Sequence, residues 1–176
     1  LGMTIDRDKI SQRILKGGQI PAYTITPPGT MGYYPKSDLA FNPEGARQLL
    51  AEAGYPDGEG FPATEILYNT SEGHRKIAVA IQQMWKKHLN IDVKLLNQEW
   101  KVYLNSVTSL DFEIGRAGWI GDYVDPNNFL DMFLCNGGNN RTGWCNPEYD
   151  QLILKAAPEA KTHAERLEIF NRAETM

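Results

Sequence analysis

The chain has 176 residues, with 18 Lys and Arg against 22 Asp and Glu and a net charge of -4. It carries no basic stripe, so the electrostatic footprint of a nucleic-acid-binding protein is missing and an acidic polyelectrolyte is an unsuitable partner. With 41% hydrophobic and 23% charged residues it reads as one soluble globular domain, long enough to bury a core, and no apolar run reaches the roughly 18 residues that a bilayer span needs. No signal peptide is visible, yet Leu1 leads straight into a helix-like pattern, so both ends are expected to have been cut from a longer protein.

The first expected element is a helix from about Asp6 to Lys16, with Ile10, Ile14 and Leu15 on one side and Gly17-Gly18 as its stop. From Gln19 to Ala40, Pro21, Pro27, Pro28, Gly29, Gly32 and Pro35 exclude regular structure, while Tyr23, Tyr33 and Tyr34 point to a loop that packs on something. Asn42-Pro43-Glu44 supplies an N-cap, a proline at the first helical position and an acid matched to the dipole, for a helix that stops at Gly54. Pro56-Asp57-Gly58 is a turn into a strand near Thr64 to Asn69. A helix over Ser71 to Leu89 follows. Ile77, Ile81, Met84 and Trp85 keep the 3.6 period, with the Met and Trp expected in the core, and Lys86 and Lys87 suit the C-terminal dipole.

Ile91, Val93 and Leu95 alternate as a strand, Glu99 to Leu110 reads as a helix, and Phe112 to Ala117 reads as a further strand. Asp125-Pro126 starts a short helix through Phe133, and Asn146-Pro147-Glu148 starts another. Thr162 with Glu165 forms a capping box for the last helix. Strand, helix, strand, helix, strand predicts an α/β layer with helices against a partly parallel sheet.

Three features carry chemistry. Arg116-Ala117-Gly118-Trp119-Ile120-Gly121-Asp122-Tyr123 gathers a guanidinium, an indole and a carboxylate where a strand should end. That grouping suits capture of a zwitterion, the Asp for an ammonium and the Arg for a carboxylate, the alternative being a strand running into an Asp-rich turn. His74 falls in a helix's first turn, where free N–H groups favour anions, or is a plain surface residue. Cys135 and Cys145 flank a Gly/Asn-rich loop short enough to close; a bridge would stabilise by roughly 3 kcal/mol in the chain-entropy model and imply an oxidising, exported location, the alternative being two free thiols. His74, His88 and His163 are too scattered for a metal site, and no cofactor is expected. There is also no nucleophile elbow, metal helix or phosphate loop to support turnover.

In order along essentially the whole chain, Gln19-Ile20-Pro21-Ala22-Tyr23, Leu49-Leu50-Ala51-Glu52-Ala53-Gly54-Tyr55, Leu67-Tyr68-Asn69-Thr70-Ser71, Trp85-Lys86-Lys87, Val93 through Lys101 and Arg116 through Tyr123 resemble the periplasmic oligopeptide-binding proteins, the extracytoplasmic receptors of peptide ABC transporters (extracellular solute-binding proteins of family 5). The resemblance implies an α/β fold, one lobe of a type II periplasmic-binding-protein-like clamshell with a mixed sheet flanked by helices. Residues 1–176 would form that single lobe, truncated at both ends relative to the full receptor. It implies a non-enzymatic monomer that captures oligopeptides for import and works with a membrane permease. Its place would be the periplasm or, as a lipoprotein, the outer face of the cytoplasmic membrane.

The resemblance also implies roles for residues. Asp122 matches the aspartate that grips the peptide's α-ammonium, Arg116 and His74 match cations that meet peptide carboxylates, Trp100 and Trp119 match pocket walls, and Ile120 takes a pocket position beside Trp119. Lys16 matches another basic group if a one-residue gap before Pro21 is allowed. Val107 departs from the pattern, standing where similar receptors have a pocket arginine. The cysteine pair resembles a bridge of dipeptide-binding relatives. Dipeptides, murein peptides or chelated nickel are alternative ligands on the same scaffold. From other classes, Asp122 and Asp125 could be the paired acids of a glycoside hydrolase, and a folding helper would bind exposed peptide segments loosely.

Overall fold

The computed structural model describes every residue except Ser37 and Asp38, so that part of the expected irregular segment lies outside the described residues. The chain divides into two compact units, Leu1–Pro21 with Leu39–Ala117, and Ala22–Asp38 with Gly118–Met176.

The first unit is built on a three-stranded sheet, β1 (Thr64–Asn69), β2 (Val93–Gln98) and β3 (Ile114–Gly115), in the order β2-β1-β3 and parallel throughout. β1 is the central strand, and its run Ile66-Leu67-Tyr68 is buried on both faces, which is why it reads as continuously apolar. Ile66 and Tyr68 join Ala78, Trp85 and Leu89 of α3 (Glu72–Leu89) and Ala46 of α2 (Pro43–Glu52). Leu67, one residue out of phase, points the other way onto Tyr103 and Val107 of α4 (Trp100–Thr108). The crossover through α3 moves from β1 to β2 and the one through α4 moves back past β1 to β3. Right-handed connections running in opposite directions put their helices on opposite faces, as these two cores require.

Local chemistry sets the ends of these elements. Asn42 caps α2 through its Oδ1, which accepts from the Gly45 N–H at 2.9 Å. Asn90, left-handed at φ 55°, ends α3 with its N–H on the Lys86 carbonyl, and the Ile91 N–H turns back to the Trp85 carbonyl. That turn takes Ile91 out of the expected strand, so β2 begins at Val93. The strand expected over Phe112 to Ala117 shrinks to Ile114–Gly115, because the Phe112 ring turns into the α4 core and lies where a Gly115 side chain would be, 2.9 Å from an added Cβ. The opening helix also differs from expectation. α1 (Arg7–Lys9) widens into a π segment over Ile10–Leu15, and its left-handed cap is Lys16 itself, at φ 55°, rather than Gly17 or Gly18.

The second unit packs the irregular loop and the C-terminal helices around Tyr33, Leu130, Tyr149, Ile153 and Phe170. Of the loop tyrosines, Tyr33 is fully buried and donates its hydroxyl to Glu174 at 2.8 Å, whereas Tyr34 is exposed. α5 (Asn127–Leu130) runs on as a 3-10 turn to Phe133, matching the expected end. α6 (Pro147–Gln151) continues through a π segment, Leu152–Ala156, into α7 (Ala157–Glu159), where Pro158 has no N–H to give to the preceding turn. In α8 (His163–Glu174), Thr162 accepts from the Glu165 N–H at 3.1 Å, while Glu165 reaches back to the N–H of Lys161 at 2.8 Å. Cys135 and Cys145 are bonded, with Cα atoms 4.6 Å apart.

Candidate functional site

In an open parallel sheet, ligands bind beyond the carboxyl ends of the strands, at the point where connections depart in opposite directions. With the order β2-β1-β3 that point lies between β1 and β3. The residues following those two strand ends include His74, in the first turn of α3, and Arg116, directly after β3. Each is half-buried.

Backbone and side-chain contacts fix both. The Arg116 N–H donates to the Leu67 carbonyl at 2.8 Å, extending the sheet ladder, and the Tyr103 hydroxyl donates to the Arg116 carbonyl at 2.9 Å. No carboxylate pairs with the Arg116 guanidinium among the described residues. Burial lowers its pKa from the ordinary arginine value, the effect expected of a cation held partly out of water. His74 Nδ1 lies 2.8 Å from Asn69 Oδ1; since that oxygen only accepts, Nδ1 carries the proton and Nε2 is left to bind or release one. Burial, and then the positive charge of Arg116, push the His74 pKa below the ordinary imidazole value. The pair is thus a partly buried guanidinium beside an imidazole whose protonation it disfavours.

Trp100 follows β2. Its ring stacks on Tyr103, with centroids 5.6 Å apart and planes 19° apart, while 52% of the residue stays exposed. A broad aromatic face is therefore presented on a ring that is itself anchored to Arg116 through the Tyr103 hydroxyl. Val107 is 3% exposed and packed with Leu67 and Tyr103, a core role. Lys16 is exposed at its helix end, and no described contact joins it to His74 or Arg116. The cavity of about 200 Å³ lined by Arg47, Asp57, Lys87, His88 and Asn90 includes none of the expected site residues.

In the second unit, Trp119, Ile120 and Asp122 sit on the loop leading into α5. Asp122 is exposed and makes no hydrogen bond or ion pair with any described residue. Ile120 is 91% exposed and Trp119 36%. An open carboxylate flanked by uncovered apolar surface can take an ammonium group and the chain attached to it. Asn128, which the sequence reading did not single out, ties this loop: its Oδ1 accepts from Trp119 Nε1–H at 2.9 Å and its Nδ2 donates to the Tyr123 carbonyl at 3.1 Å. The only hint in the sequence was an asparagine just behind the Asp-Pro helix start.

Asp125 does different work. Both of its oxygens take the Arg166 guanidinium at 2.8 Å, and Oδ1 also accepts the Asn127 N–H at 2.9 Å. Burial alone would raise its pKa, but these hydrogen bonds and the Arg166 charge hold it below the usual carboxylate range. A glycosidase acid needs the opposite shift, so Asp125 is unsuited to that role, and both of its oxygens are taken by Arg166 instead. No group of three or more His, Cys, Asp or Glu suited to a metal ion occurs among the described residues.

Comparison with known proteins gives a consistent result. The family model for bacterial extracellular solute-binding proteins, family 5 Middle, matches residues 1–141. The oligopeptide-binding protein OppA of Bacillus subtilis is 40% identical over 183 residues, an alignment covering 99% of this chain and 33% of that protein. Among solved structures, the Escherichia coli murein tripeptide binding protein MppA superposes with a TM-score of 0.90 at 39% identity, covering 99% of this chain and 35% of that one. A periplasmic oligopeptide-binding protein, OppAIV, from Borrelia burgdorferi gives 0.89 at 42% identity with the same coverage. The fold is that of a periplasmic binding protein, and the chain spans about a third of the length of these relatives.

Proposed function

This chain belongs to the bacterial extracellular solute-binding proteins of family 5, and on that premise we propose that it forms part of a periplasmic receptor that captures oligopeptides for import through an ABC transporter, binding them without chemical turnover. The observation that carries the proposal is the pairing of Arg116 and His74 at the β1/β3 switch point, an anion-seeking site suited to a peptide's carboxylate. Asp122, exposed and unpaired among the described residues, is the grip for the α-ammonium, and Trp100, Trp119 and Ile120 offer apolar wall. Gripping termini and leaving side chains in hydrated space gives affinity with little sequence preference, because water satisfies what the wall does not. Lys16 is proposed as an accessory cation only.

The full receptor would close around its ligand as a clamshell, in which residues 1–176 make up one lobe. It would act as a monomer and deliver peptide to the membrane permease. Among the described residues no helix is long and apolar enough to cross a membrane.

The test is to purify the full-length protein, identify the ligands that leave it on denaturation by mass spectrometry, and titrate the stripped protein with mixed tri- to pentapeptides. Peptides of varied sequence and submicromolar binding support the proposal. A single non-peptide ligand, with no heat from peptides, contradicts it. Likeness to the MppA structure favours a second reading, murein peptides. Competition between a murein tripeptide and trialanine decides between the two.

A further inference from the structure

We infer that Asn128 is a positioning residue for the ammonium grip, holding the Trp119 indole and the backbone that follows Asp122 in one fixed arrangement; this rests on the peptide-binding reading above. Asn128 is 2% exposed, and its amide uses its acceptor and its donor on the two ends of one short loop. The acceptor takes the N–H of Trp119, three residues before Asp122, and the donor serves the carbonyl of Tyr123, the residue after it. The loop's own residues are largely exposed, so burial alone does not hold them; these two bonds act with the Asp125 N–H on the Tyr123 carbonyl and Asn127 on the Tyr123 hydroxyl to set where they stand.

The amide is itself on firm ground. The backbone N–H of Asn128 donates to the Asp125 carbonyl at 3.1 Å, and the Asp125 side chain is forked by Arg166 of α8. Phe129 of the same short helix lies against the loop's midpoint, 3.1 Å from where a Gly121 Cβ would be. A chain of contacts therefore runs from the second unit's core to the loop that carries Asp122. A purely structural asparagine would be spent on buried backbone groups. Here one partner is the indole of a candidate pocket wall, which fixes the ring's rotation while 36% of the residue stays exposed. Such preorganisation lowers the ordering cost of binding.

The experiment uses the full-length protein and calorimetry with trialanine and N-acetyl-trialanine, for wild type, Asn128→Ala, Asn128→Leu, Trp119→Phe and Asp122→Asn. The Trp119 indole N–H is followed by ¹⁵N-edited NMR. Loss of one or both bonds should weaken trialanine about tenfold and shrink the gap between the free and acetylated peptides. The indole resonance should shift and broaden in the Asn128 variants, and Asn128→Ala should cost less in a Trp119→Phe background than alone, since the indole contact is then already gone. If Asn128→Ala and Asn128→Leu keep trialanine affinity within twofold while Asp122→Asn loses it, the inference is overturned and the peptide reading stands. If Asp122→Asn also keeps it, the reading itself falls and the inference with it. Should neither Asn128 variant fold, Trp119→Phe decides alone: retention of full discrimination against the acetylated peptide overturns the positioning role.

Discussion

On the proposed reading, a peptide carboxylate that meets His74 and Arg116 would make capture a proton-linked event. In the structure burial and the Arg116 charge disfavour the imidazolium, so the His74 pKa lies below its ordinary value when no anion is present. A peptide carboxylate arriving between the two cancels part of that repulsion and raises it. Between the lower free value and the higher bound value, binding must take up a proton, and affinity must rise as pH falls through that window. Calorimetry in buffers of different ionisation enthalpy should show this uptake for peptides whose carboxylate reaches the pair. His74→Gln should abolish it. Uptake that persists in the variant would assign the proton to another group. Residues of this kind were legible because their type announces their chemistry: a cation after a strand end, an aspartate among glycines and an indole. Asn128 was not legible, since an amide becomes a positioning group only through what the fold brings to its two ends. Asp125 shows the same limit. Its capping role was visible from the following proline, but the fork from Arg166, 41 residues away, was not.

At the scale of elements, the cysteine loop shows how local order hides in an aperiodic stretch. Residues 136–144 have no helical or strand period, yet Asn140 organises them. Its Nδ2 donates to the carbonyls of Phe133, Leu134 and Trp144, and its Oδ1 accepts from the N–H and hydroxyl of Thr142. The Cys135 N–H donates to Asp150 of α6, joining the loop to the helix that follows. The disulfide therefore closes a loop that these hydrogen bonds also order. In non-reducing mass spectrometry the protein should be two protons lighter than the dithiol, and reduction should lower its unfolding free energy by roughly 3 kcal/mol in denaturant titration. Two thiols in oxidatively produced protein, or an unchanged midpoint on reduction, would contradict this. Helix starts at Asn42, Asn146 and Thr162 were readable because a cap and its turn are a local matter. The π segment in the first helix and the shortening of β3 were not, since the first is a change in hydrogen-bond register and the second follows from where the Phe112 ring packs.

For the whole molecule, the alternation of strands and helices was enough to give an α/β layer, and the strand order then placed the switch point beside His74 and Arg116. What periodicity does not contain is the order β2-β1-β3, because pairing of β1 with β3 joins residues 48 apart. The chain covers about a third of its relatives, and as a separate protein it should bind peptides weakly. Its Asp122 stands in solvent, where a screened ion pair is worth about 0 to 1 kcal/mol. Calorimetry of the 176-residue chain with mixed tri- to pentapeptides should show little heat, and submicromolar binding would be the opposite result.

The most direct measurement is an affinity cycle on the full-length protein, wild type and Asp122→Asn, each with one peptide in free and N-acetylated form. Asparagine keeps the shape of Asp122 and removes its charge. In a closed site this leaves the peptide's ammonium buried without its partner, at about 3 to 5 kcal/mol, more than a hundredfold in affinity. Acetylation removes the same contact from the peptide's side, so the two losses should overlap instead of adding. Full additivity, or unchanged affinity of Asp122→Asn for the free peptide, would show that Asp122 is a turn residue and that the ammonium is held elsewhere.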